Sequence, residues 1–152
     1  MTNVFKKIAS ATQNRTTYRM GLLQTRAYRI LKAETARILK SLGLSPVEWA
    51  FLGLLYDNKS MRMKEAALQL GVEPPFVTVM IAHLSKEGLV QETRGDSDNR
   101  VKHISLSKKG EEFVPKTELL VRNEIRYLVS GVGPVDLLGY ISVLEAIITN
   151  ER

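Results

Sequence analysis

No cysteine occurs among the 152 residues, which rules out disulfide stapling, thiolate metal sites and thiol redox sensing, and suits a reducing, cytoplasmic setting. No run of about 18 apolar residues is present, and the N-terminal MTNVFKKIAS has no continuous apolar core followed by a cleavage site. Both absences argue against membrane spanning and secretion. Histidine is limited to His83 and His103, on different elements and without ligand-type spacing, so neither a metal site nor a cofactor is expected. A phosphate-binding glycine loop, a nucleophile elbow and a zinc-protease pair are all missing, so no enzyme site can be assembled. Asp96-Ser97-Asp98-Asn99 begins like a calcium loop, but Val101 and Ser107 stand where the glycine and the bidentate glutamate belong.

Acid is scarce in one region only. Residues 1–44 hold nine Lys/Arg against Glu34 alone, whereas residues 111–152 hold four against seven acids, within a net charge of +6. A basic first third beside an acidic last third fits nucleic-acid attraction, an anion-binding cavity, or two segments that lie together. Composition, with 44% hydrophobic and 25% charged residues, is that of one globular domain or two intertwined small ones.

From Thr16 to Leu42 the residues Met20, Leu23, Ala27, Ile30, Leu31, Ile38, Leu39 and Leu42 recur at helical intervals, closed by Gly43. A helix of that length spans roughly 40 Å, more than one small domain needs, and suggests a partner. Ser45-Pro46-Val47-Glu48 is a capping box with proline at the first helical position. The WAFLGLLY that follows, residues 49–56, reads as a buried central helix ending near Asp57-Asn58.

Residues 61–90 read as two short helices. The first turns Ala67 and Leu70 inward and reaches Gly71; after Gly71-Val72-Glu73 the second buries Val77, Met80, Ile81 and Leu84, which together make a helix-turn-helix. GLVQETR (88–94) and RVKHISLS (100–107) then read as strands around the tip Gly95-Asp96-Ser97-Asp98-Asn99, the order of a winged helix. Arg100 at the base of the tip is the candidate for insertion into a narrow minor groove. Asp98 would hold its guanidinium, and Arg94 and Lys102 would meet phosphates. The plain alternative is a solvated hairpin with local charge pairs.

The stretches GLVQETR, Asp98-Asn99-Arg100 and Leu106-Ser107-Lys108-Lys109-Gly110 resemble the wing signature of MarR-type regulators, and the long first helix, residues 42–58 and the C-terminal helices match as well. The resemblance implies a mainly α fold, a winged helix-turn-helix lobe with a small β-hairpin wing. Long N- and C-terminal helices would intertwine in a homodimer on a palindromic operator in double-stranded DNA, and such proteins are usually repressors released by a small, often aromatic or anionic molecule. The chain divides accordingly into a dimerisation helix (1–44), the winged helix-turn-helix (45–106) and C-terminal dimerisation helices (107–152). In the last segment Ser107 caps a helix to about Val129, with a kink or break at Pro115 near Val114. Pro134 then opens a final helix whose apolar residues, Leu138, Ile141, Leu144 and Ile148 among them, cover more than one face and need another chain.

The recognition helix departs from the family pattern. Its outward residues are Pro75, Phe76, Thr78, Val79, Ala82 and His83, where MarR-type proteins usually place Ser/Thr at the start and Arg near Val79 and His83. Thr78 and His83 are the ones able to hydrogen-bond a base edge, while Phe76 and Val79 suit thymine methyl groups. For an effector, Arg26, Tyr28, Trp49 and Tyr56 offer an aromatic wall with one cation. Two other functions stay open on this reading: a winged-helix module that docks its apolar recognition helix onto a protein, and constitutive DNA binding without an effector.

Overall fold

The computed structural model describes residues 17–94 and 102–150. Helix α1 (Thr17–Lys40) buries Ile38 and Leu39 only near its C-terminal end; Met20, Leu22 and Leu23 stand more than half exposed. It stops where Gly43 takes a φ of 69° and the Leu44 amide reaches back to the Leu39 carbonyl at 3.2 Å, the left-handed closure that favours glycine. Helix α2 (Pro46–Asn58) carries the expected box: the Glu48 amide donates to Ser45 Oγ, and the Glu48 carboxylate accepts from the Ser45 amide. Phe51, Leu52 and Leu55 are buried, making α2 the central strut of the core.

A strand not read from the sequence follows. Strand β1 (Ser60–Arg62) buries Met61 alone and pairs with β3 (Lys102–Leu106), which in turn pairs with β2 (Val90–Arg94) in a three-stranded antiparallel sheet of order β1-β3-β2. Between β1 and β2 lie α3 (Met63–Leu70) and α4 (Pro74–Lys86). Gly71, with φ 62°, makes the turn between them, and Val77, Met80, Ile81 and Leu84 face the core as their spacing predicts. The two helices cross with a bend of 108°.

Helix α5 (Lys108–Ile125) opens on the Ser107 cap, and the chain tightens into a 3₁₀ turn over Arg126–Val129. Of the kink or break expected at Pro115, the break does not occur: α5 runs continuously through it. Val114, Thr117 and Val121 on the inner face are buried, and their packing against the core outweighs the one amide that proline removes on the exposed side. Helix α6 (Pro134–Thr149) has no buried residue at all. No single helix among the described residues is long and apolar enough to cross a membrane.

Candidate nucleic-acid interface and the adjoining cleft

Burying Val77, Met80, Ile81 and Leu84 forces the opposite side of α4 outward. Pro75, Phe76, Thr78, Val79 and Ala82 are exposed, Val79 at 69% and Phe76 at 48%. At about 3.6 residues per turn, Pro75, Val79, Ala82 and Lys86 form the centre line of this stripe, with Thr78 on one flank and Phe76 and His83 on the other.

The two polar candidates are already engaged inside the subunit. The Thr78 hydroxyl lies 3.3 Å from both the Pro74 carbonyl and the Met63 sulfur. His83 Nδ1 sits 2.6 Å from Glu48 Oε1, so α4 is tied to the start of α2. The other carboxylate oxygen accepts from the Ser45 amide at 2.8 Å and the Ser45 hydroxyl at 2.7 Å. Burial pushes the Glu48 carboxyl up, but the Ser45 bonds and His83 together hold it below the usual carboxylate range. The sequence marks Glu48 as a capping residue; its second partner, 35 positions on, is visible only in three dimensions.

A carboxylate depressed in the fold stabilises it fully above the unfolded value of about 4.3, and that contribution is lost as pH falls through the lower folded value. Glu48→Gln is therefore expected to lower stability by about 1 kcal/mol near neutrality, with the gap from wild type closing below about pH 4.3. Urea denaturation at several pH values measures it; a gap that persists at acid pH would show that charge plays no part.

At the wing, the register pairs Val90 with Leu106 and Glu92 with Ile104, and ends by placing Arg94 opposite Lys102. Two basic positions thus frame the base of the tip. Asp98 and Arg100 lie outside the described residues.

Beside the first turn of α4 opens a cleft of about 620 Å³, walled by Tyr28, Leu31 and Lys32 of α1, Val47 and Trp49 of α2, Val72 of the turn, and Phe76. Of the four effector candidates, Tyr28 and Trp49 meet here. Tyr56 instead borders a second hollow of about 410 Å³ on the other side of α2, with Trp49, Asp57, Glu118 and Arg122. Arg26 lines neither. The cation at the first cleft is Lys32, whose Nζ stands 5.6 Å over the Tyr28 ring. Its i,i+4 spacing from Tyr28 was the signal that marks it.

The MarR family model matches residues 44–102. The HTH-type transcriptional regulator YkoM of Bacillus subtilis (strain 168) is 27% identical over 109 residues, 72% of this chain and 71% of its own. The transcriptional repressor CouR bound to a 23-mer DNA duplex superposes with a TM-score of 0.75 at 26% identity, over 84% of this chain and 90% of that one. CouR from Rhodococcus jostii RHA1 bound to p-coumaroyl-CoA superposes with a TM-score of 0.80 at 19% identity, over 88% and 94%. Residues 44–102, the winged helix-turn-helix, thus match the MarR family model, and the described chain has the fold of MarR-family structures.

Proposed function

We propose that the protein is a homodimeric transcriptional repressor that seats α4 and the wing of each subunit on a palindromic operator. It lets go when a small aromatic or anionic molecule fills the cleft between α1, α2 and α4. The observation that carries this reading is an exposed recognition helix standing beside a wing framed by basic residues, in a chain of MarR fold. The DNA-bound CouR supports the nucleic-acid partner. Dimerisation draws its support from α6, which buries nothing within its own subunit. For the effector, Tyr28, Trp49 and Lys32 supply an aromatic wall and one cation, the chemistry that an aromatic carboxylate needs.

Duplex DNA flanking the protein's own coding region, titrated across a salt series, tests it. Binding should be specific, with log affinity falling linearly against log salt. Arg100→Ala should keep the dimer mass while weakening the complex about tenfold or more. No specific complex at any salt removes the reading. The carbon-rich outward line of α4 favours one rival, a winged-helix scaffold that docks on another protein; on that reading duplex binding stays indifferent to sequence.

A further inference from the structure

The outward line of α4 has unusual chemistry for a helix that enters a groove. Its first two residues, Pro74 and Pro75, have no N–H, and the Phe76 and Val77 amides already reach the Glu73 carbonyl at 3.0 and 3.4 Å. The donors that a helix start ordinarily leaves open to an anion are therefore absent or used. Glu73 at the N-cap adds negative charge at the same end. On the flanks, Thr78 is held by Pro74 and Met63, and His83 by Glu48. Along the centre line Pro75, Val79 and Ala82 present only carbon until Lys86.

We propose that α4 reads its DNA by apolar contact with thymine 5-methyl groups in the major groove, with Val79 the principal contact and Ala82 beside it. The inference rests on the DNA-binding reading above and names what that site recognises. The thymine methyl is the one apolar feature that base edges offer in the major groove, and Val79, at 69% exposure, has most of its surface left to bury. The same carbon surface offers nothing to the acceptors of guanine or the amino group of cytosine. A G·C pair facing it leaves desolvated polar groups unpaired, so such a pair is rejected.

Duplexes enriched by the wild-type protein from a random-sequence pool define the half-site for the test. Each thymine in it is then replaced singly by deoxyuridine, which removes the methyl alone and leaves the minor groove and the phosphates as they were, so the wing's contribution cancels. Burial of one methyl is worth about a fourfold change in affinity, so one or two positions per half-site should weaken binding about three- to tenfold. Val79→Ala should bind the parent duplex more weakly by a similar factor and no longer distinguish thymine from deoxyuridine there. An exposed helix position takes alanine without strain, and an unchanged melting temperature verifies that the fold is intact. Deoxyuridine duplexes that all bind within about twofold of the parent overturn the inference; so does a thymine preference that survives Val79→Ala undiminished. Enrichment of no sequence at all overturns the DNA-binding reading itself, which keeps the two failures distinct.

Discussion

Ile141→Asp is expected to leave folded single subunits that no longer bind DNA specifically. Within one subunit α6 is a helix without a home: Leu138 is 63% exposed and Ile148 72%, and Val135, Val143 and Ile147 are also more than half open. So large a continuous apolar surface is not left in water by a monomer. In the proposed homodimer, two-fold pairing would cover it, together with the exposed Met20, Leu22 and Leu23 of α1. An aspartate in such an interface places one uncompensated carboxylate per subunit against apolar side chains, costing about 3 kcal/mol or more each, a factor of at least about 10² in dimer affinity. Losing the dimer then loses the second lobe, whose tethering contributes about 10²–10⁴ to operator binding. Sedimentation velocity and fluorescence anisotropy read the two effects separately. Far-UV circular dichroism should not move, since Ile141 is half-exposed in its own subunit and lies on a helix with no buried residue. A monomeric variant that still binds the operator at wild-type strength would refute the two-lobed arrangement.

What the sequence reveals here depends on how local the chemistry is. The Ser45–Glu48 box is legible because every group in it lies within four residues, and the inward stripe of α4 because its period is carried by four apolar side chains in a row of turns. Strand β1 is not legible: Ser60-Met61-Arg62 has no alternation long enough to read, and its existence is decided by β3, more than 40 positions on. At Pro115 a local rule allows a break that does not occur, because burial of Val114, Thr117 and Val121 is stronger than one lost hydrogen bond. The site follows the same division. Exposure of Pro75, Phe76, Thr78 and Val79 follows from periodicity alone, whereas the withdrawal of His83 onto Glu48 is a long-range contact that no spacing announces. The effector candidates split because α2 has two sides: Trp49 borders both hollows, Tyr28 only the first and Tyr56 only the second. Arg26 and Lys32 are equally basic and lie on one helix, and only the direction in which α1 meets α2 selects Lys32.

Gly110→Ala should be among the most damaging single changes in the lobe, although it adds one methyl. Gly110 lies in the first turn of α5, buried, its amide donating to Ser107 Oγ at 3.0 Å. A Cβ there would run into the Leu89 carbonyl oxygen and come within 3.2 Å of Leu106 Cδ2. The obstacle is backbone, and it is held in place. The Leu89 carbonyl accepts from the Ser107 amide at 3.0 Å, Ser107 Oγ donates to the Gly88 carbonyl at 2.6 Å, and Lys109 Nζ donates to the Glu87 carbonyl at 2.6 Å. These bonds lace the start of α5 to the turn joining α4 to β2, which is the base of the wing. To admit the methyl, α5 must lift away, opening the packing of Leu89, Val90 and Leu106 and straining the bonds that hold the turn. Overpacking of about 1–3 kcal/mol plus about 1 kcal/mol for each bond lost gives a total of about 3–5 kcal/mol. That is a large share of the roughly 5–15 kcal/mol that holds a domain together. Gly53→Ala is the matched control: Gly53 lies inside α2, its Cβ would meet nothing within 4 Å, and alanine in a helix interior is favoured by about 0.5–1 kcal/mol. Urea denaturation of the two variants should therefore shift in opposite directions. If Gly110→Ala unfolds within about 1 kcal/mol of wild type, α5 does not press on Leu89 as described, and the wing is seated by something other than that contact.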